Sequence, residues 1–278
     1  AGVSQKKVEA ASTGKLSVTG YQDYNDAQKI LKEVNKYRKK NGRKALKMDR
    51  GLTNSAIMRG FETTIYIPET SPHRRPNGKL SKSINKKIIY ENCAQSAGTT
   101  PKQIVKGWIN SSTHRKGLLL SNAKSVGVAA VTVVSRDGYE ANTWVLDFSS
   151  SKAKKVEKSK ARKQFTKNIV TKNSYLKKSY LKLDSRYGTI WETEKMQMKP
   201  TYQGKMMKEY GVYPTVINTS SFTSWKSSNP SVASVDSNGR ITGNKAGTAT
   251  ISVKLKTGTK ITISKKIKVV PTNQQIDP

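Results

Sequence analysis

The chain of 278 residues contains one cysteine, Cys93. No disulfide can form within it, so packing and hydrogen bonding must hold the fold, inside a cell or outside one. Histidine is nearly as scarce, with only His73 and His114. Acidic side chains are also few: 18 Asp and Glu stand against 52 Lys and Arg, a formal net charge of +34. The basic excess is not confined to one region. Residues 1–150 carry 26 basic and 11 acidic groups, and residues 151–278 carry 26 and 7. So even a spread is not the footprint of one nucleic-acid face; it suits life beside a polyanion such as an anionic wall polymer or anionic lipid headgroups. Aromatic platforms interleaved with basic residues are missing, which disfavours nucleic acid. Long apolar runs are missing too. The longest, "VGVAAVTVV", is half of the roughly 18 residues that a membrane helix needs, so no transmembrane segment is expected and this stretch suits a strand.

A hydrophobic content of 34% predicts modest cores, and the length suits two domains. The opening "AGVSQKKVEAAS" is small and polar, as a mature N-terminus is after signal removal, or as an expression remnant is. Residues 1–22 lack periodicity and are expected to form a flexible lead-in. From Asn25, Ile30, Leu31, Val34 and Tyr37 recur at helical spacing, and Gly42 is placed to end the helix. A second helix is expected near Leu52, carrying Arg59 and Glu62 one turn apart, and a short one over 80–88. In "TTPKQIVKGWINSSTHRKGLLL", Thr100 is an N-cap, Pro101 sits at N1, and Gln103 at N3 completes a capping box. Ile104, Val105, Trp108 and Ile109 form its apolar stripe. "SVGVAAVTVV" and "ANTWVLDFS" are strands joined by the turn "SRDG". Residues 23–150 thus form an α+β layered domain. Residues 151–172 form a basic linker, with seven basic residues and one acid in "SKAKKVEKSKARK". Over 173–272 short alternating strands and turn signals predict an antiparallel sandwich. Residues 273–278 are a tail.

Both histidines fall in polar, turn-rich segments, "PHRRPNG" and "SSTHRKG". Glu62 and Glu91 lie in comparable settings. Two imidazoles and two carboxylates can hold a divalent metal, since neutral imidazole suits zinc and carboxylates add oxygen ligands. The same set can do acid–base work, because a carboxylate beside an imidazole moves its pKa. A hydrogen-bonded network with no ligand is the plain alternative. No pair has the close helical spacing of a HExxH motif, so the fold must bring them together.

Four motifs in order carry a resemblance. "LTNSAIMRGFETTIYIPETSPHRRPNGKL", "YENCAQ", "TPKQIVKGWINSSTHRKGLLLS" and, upstream, "EVNKYRKKNGRKALKMDRGL" resemble the bacterial SCP-like branch of the CAP superfamily over residues ~25–150. The resemblance implies an α-β-α sandwich with a central cleft lined by His73, Glu91, His114 and Glu62. Asn92 is a polar neighbour that orients a loop. The cleft is a site for a small or lipid-like ligand, and in several members His73 and His114 would hold zinc or another divalent metal. This sequence departs from the pattern at Pro72, at Tyr90 in place of glycine, and at Cys93. Downstream, "SWKSSNPSVASVDSNGRITGNKAGTATISV" is similar to the bacterial Ig-like group 2 repeat, which implies an all-β sandwich serving as a spacer or adhesive module. Trp225, Val232, Val235, Ile241 and Ile251 are then core positions.

Together these features imply a secreted or cell-surface protein. One expectation is a binding protein whose basic body sits in the anionic envelope. The other is a hydrolase using a metal or a His/Glu acid–base pair, in which Glu62, His73, Glu91 and His114 are the candidate catalytic groups.

Overall fold

The computed structural model describes residues 13–65, 73–184 and 188–272. The first residues of the lead-in, the Pro72 position and the tail from residue 273 lie outside them. In chain order the elements are β1 (Thr13–Asp23), α1 (Tyr24–Lys40), β2 (Lys47–Met48), α2 (Arg50–Ile65), β3 (Ile88–Ser96), α3 (Pro101–Asn110), α4 (Ser112–Leu118), β4 (Ser125–Val134), β5 (Glu140–Ser149) and β6 (Arg162–Lys172). Then follow β7 (Leu181–Asp184), β8 (Thr189–Trp191), β9 (Lys195–Gln197), β10 (Lys199–Tyr202), α5 (Lys205–Glu209), β11 (Thr215–Val216), β12 (Phe222–Ser227), β13 (Ala233–Val235), β14 (Arg240–Gly243), β15 (Gly247–Leu255) and β16 (Thr262–Val270).

The chain divides into two compact units. One holds Ser17–Ile169 together with Thr201–Ile217, and the other holds the remainder. The first unit is a mixed α/β structure built on a sheet in the order β3-β5-β4-β1-β6, with β2 alongside β4. Side-chain alternation divides its strands between two layers. Val126, Val128, Ala130, Trp144, Leu146 and Phe148 face α1, α3 and α4, where they share a core with Ala27, Ile30, Val34, Ile104, Trp108 and Leu118. The opposite face takes α2. The approach there is close: a side chain at Gly127 would lie 2.2 Å from the Leu52 carbonyl, and one at Gly60 would lie 2.8 Å from Val131. Glycine is what lets this helix lie on the sheet.

The helix signals are realised. Gly42 adopts φ +66° beyond α1, and the Thr100–Gln103 capping box forms at the start of α3. The helix that starts after Thr100 ends at Asn110, and the polar run "SSTHRKG" enters a second, short helix after a break at Ser111, whose φ and ψ are extended. The short helix expected over 80–88 is a 3₁₀ turn at Ser81–Ile84, after which the chain enters β3.

Two stretches expected to be irregular are strands. The end of the supposed lead-in is β1, with Leu16 and Val18 fully buried. In it, buried Gln22 bonds through its side-chain amide to Val128 O (3.1 Å) and Ala130 N (2.8 Å). The second half of the supposed linker is β6, at the edge of the sheet. Lysines on an exposed edge strand discourage further pairing, and they also mask its strand pattern.

The second unit contains a sheet β12-β15-β16-β8 and a sheet β13-β14-β9. Ile251, Val253, Ile263 and Ile267 alternate into its core. Of the expected core positions, Val232, Ile241 and Ile251 are buried, while Trp225 and Val235 are half-buried. Gly239, at φ +76°, lies against the Trp225 ring, and a Cβ there would come within 2.5 Å of it.

Candidate functional site

Helix α2 supplies Arg59 and Glu62, three residues apart and so on one face. Arg59 is fully buried, and its guanidinium joins two acids. Its Nε and Nη2 donate to Glu91 of β3 at 2.8 and 3.2 Å, and its Nη1 donates to Glu62 at 2.8 Å. Burial works against the Arg59 charge, but Glu91 and Glu62 outweigh it and hold the guanidinium above its ordinary range.

The loop from His73 to Ser81 closes on itself. Ser81 N donates to His73 O (2.8 Å) and Arg75 N to Lys79 O (2.8 Å). Lys79 N donates to the Asn77 side chain (3.0 Å), and Gly78 turns at φ +84°. This closure aims two side chains inward. Arg75 reaches Glu62 with Nη2 at 2.7 Å and Nε at 2.9 Å. His73 Nδ1 lies 2.9 Å from Glu91 Oε1. The result is a ladder of two arginines and two glutamates, formally neutral, with a histidine at its outer end. Burial opposes the Glu91 charge, but hydrogen bonds from His73 and Arg59 hold its carboxyl below the usual carboxylate range.

His114 comes from α4. Its Nδ1 is 3.0 Å from Ser111 Oγ, at the break between the two helices. Its main-chain oxygen accepts from Asn92 Nδ2 at 2.9 Å. Tyr90 donates to Thr113 O (3.0 Å), and Arg115 donates to the α3 end at Ile109 O (2.9 Å). Asn92 is thus a buried loop-orienting residue, and Tyr90, at the position where a glycine was expected, ties the same turn to β3. Burial, and then the charge of nearby His73, hold the His114 imidazole below the ordinary histidine range.

The fold therefore brings His73, Glu91 and Glu62 into one bonded network and puts His114 within electrostatic reach of His73. The two glutamates do different work. Glu91 bridges the histidine and Arg59, whereas Glu62 is taken up by both arginines. The ligand atoms of His73, Glu91 and Cys93 lie within 4.8 Å of one another. Cys93 is half-buried as a residue. Burial of its sulfur, and then the Glu91 charge, push the thiol up to about 12, so it stays protonated near neutrality.

Two groups were not singled out from sequence. Ser111 gave no signal beyond a polar run. Asp147 did give one, an acid inside the apolar strand "TWVLDFS". It sits on β5 opposite Glu91 and Gly127. It is wholly buried, and neither carboxyl oxygen has a hydrogen-bond partner among the described residues. Burial, then the Glu91 charge, push its carboxyl well above the usual range. It is a buried acid set directly beside the charged ladder.

Comparison with known proteins agrees with this architecture. Residues 31–148 match the model of the cysteine-rich secretory protein family, CAP, and residues 203–267 match the group 2 bacterial Ig-like domain. The chain carries a CAP domain followed by a bacterial Ig-like domain. A curated relative, the uncharacterized protein YkwD of Bacillus subtilis, is 31% identical over 130 residues, which cover 45% of this chain and 48% of that one. The match thus spans about half of the relative's length. Among solved structures, an extracellular protein containing an SCP domain from Bacillus anthracis is 19% identical (45% of this chain, 41% of that one, TM-score 0.34). A cysteine-rich secretory protein of Staphylococcus aureus is 22% identical (46% and 39%, TM-score 0.31).

Proposed function

We propose that this is an exported, envelope-associated binding protein whose CAP cleft holds a divalent metal, with zinc as the favoured ion, on His73 and His114, and takes a small or lipid-like ligand beside it. The observation that carries the reading is the anchoring of both imidazoles through Nδ1, by Glu91 for His73 and by Ser111 for His114. Metal-binding histidines are oriented in this way by their neighbours. The donor set fits a metal held by imidazole rather than by carboxylate, because the Glu62 and Glu91 oxygens are engaged by arginines. The pairing of CAP and Ig-like domains supports export, with the Ig-like unit as a spacer or adhesive module. The net charge of +34 supports contact with an anionic wall polymer or lipid surface. Among the described residues no helix is long and apolar enough to cross a membrane.

The test is metal content of the purified protein by mass spectrometry after zinc loading and desalting. About one equivalent per chain is expected in the wild type, with loss of most of it in both His73→Ala and His114→Ala. Equal, near-zero content in all three would sink the metal reading.

A second reading rests on the 2.9 Å His73–Glu91 contact, which is the geometry of a base oriented by a carboxylate. It makes the protein a hydrolase of an extracellular substrate, acting by acid–base chemistry or with the metal. Hydrolysis that is lost in His73→Ala but survives chelation would favour the acid–base form.

A further inference from the structure

Away from the histidines, the first unit has a second concave site. A cavity of about 280 Å³ opens at the turn between β4 and β5, where the segment Tyr210–Tyr213 covers it, and it is lined largely by carbon. This is at the lower edge of small-ligand pockets, which run from about 300 to 1,000 Å³. Three of the chain's twelve tyrosines stand around it. Tyr139, Tyr210 and Tyr213 are 55, 69 and 49% exposed, unusual for so much ring surface in one place. Tyr139 and Tyr213 stack with centroids 4.4 Å apart and planes within 9°, so they present a fixed rim.

The covering segment is held before any ligand arrives. Val212 N donates to Met207 O (2.7 Å) and Arg136 N to Pro214 O (3.3 Å). Gln203 donates to Val212 O (2.8 Å), and Thr215 Oγ1 donates to Thr64 O (3.3 Å).

Two observations define the occupant. Ser135 lines the cavity and is 6% exposed, and its Oγ has no hydrogen-bond partner among the described residues. A buried hydroxyl left unpaired costs about 1–3 kcal/mol, so a ligand bearing its own hydroxyl or carbonyl would relieve it. Asn142 and Gln95, also in the lining, add amide groups nearby. The second observation is charge. In a chain with 52 Lys and Arg, none of the twelve lining residues is basic, so this concavity is not built for the polyanions that the rest of the surface suits.

We infer that this tyrosine-rimmed cavity binds an uncharged saccharide. A pyranose has the required combination: C–H faces that lie on aromatic rings, and hydroxyl or acetamido groups that pair with Ser135 and Asn142. The protein would then hold neutral glycan at this site while its basic surface meets anionic polymer elsewhere.

The test is calorimetric titration of the full chain with two probes, an uncharged N-acetylhexosamine trisaccharide and an uncharged hexose trisaccharide. Saturable binding of at least one is expected. Tyr210→Ala and Tyr213→Ala should each weaken it about tenfold or more, Tyr210→Ala at an unchanged thermal midpoint because that ring is 69% exposed. Tyr213→Phe should keep most of the affinity, and His73→Ala should leave it intact. Ser135→Ala separates a ligand contact from a packing role: weaker binding at an equal or raised melting midpoint supports the site, and unaltered binding overturns it. Failure of both saccharides to bind at millimolar concentration, binding that survives both alanine variants, or competition by polyphosphate would each overturn the inference. So would saturable capture of an apolar peptide in place of sugar.

Discussion

Arg59 holds the candidate site together. It is a fully buried cation that ties α2 to β3 through Glu91 and pairs with Glu62 on its own helix. Removing it takes a charge partner from two buried carboxylates, leaving Glu62 to Arg75 and Glu91 to His73, and breaking a buried pair from one side costs about 3–5 kcal/mol. Arg59→Ala should therefore lower the unfolding free energy by about that much in a urea titration. Asp147 predicts a pH effect of definite sign. Its folded-state pKa lies above the ordinary 3.8, so the native state retains a proton that the unfolded chain releases. Stability from this group is full below that ordinary value and falls as pH rises toward the folded-state pKa. Asp147→Asn, which cannot ionise, should lose less stability than the wild type as pH rises from about 4 to about 7. Parallel denaturant titrations at the two pH values check it. At this scale the sequence was informative where chemistry is scarce. Two histidines in a chain of lysines drew notice, and Arg59 stood at helical spacing from Glu62. The bonds that give Glu62 and Glu91 separate roles were not legible, because they depend on where the His73–Ser81 loop folds back.

At the scale of elements, helix termini were the clearest signals. The Thr100–Gln103 capping box is a local event and formed where its residues predicted. The break at Ser111 falls in the polar, turn-rich run "SSTHRKG", which gave no signal of the short helix that follows it; that break is what gives His114 its Ser111 partner. Strands β1 and β6 were obscured for different reasons. β1 is rich in Thr, Ser and Gly, and β6 is rich in lysine, so neither looks like the interior or the edge of a sheet until paired. The packing of α2 on the sheet makes a sharp prediction. Gly127→Ala places a methyl group 2.2 Å from the Leu52 backbone, and backbone cannot swing aside as a side-chain end can. The cost should reach the upper end of the about 1–3 kcal/mol seen for overpacking. It should appear as a lower midpoint in thermal unfolding, with the Arg59 network loosened as α2 is pushed out.

For the molecule as a whole, the family match and the compact unit do not share boundaries. The CAP match runs over 31–148, yet the unit that contains it also draws on residues from Ser17 and on Thr201–Ile217. A fragment ending at Ile169 would lose the strand, helix and loop that bond to Ser135, Arg136 and Thr64. Calorimetry should find it melting about 2–8 °C below the same unit in the intact chain, the shift expected for a loss of one to two kcal/mol in a domain of this size. The charge of the whole also sets two electrostatic regimes side by side. Contacts between the exposed lysines and an anionic polymer are screened within about 8 Å at physiological ionic strength. The Arg59–Glu62–Glu91 cluster is sealed from solvent and carries its own counter-charges. Raising ionic strength should therefore weaken the proposed envelope contact while leaving the Arg59–Glu62–Glu91 cluster intact. Added salt thus separates the two halves of the proposal, surface attachment and cleft binding, in one titration.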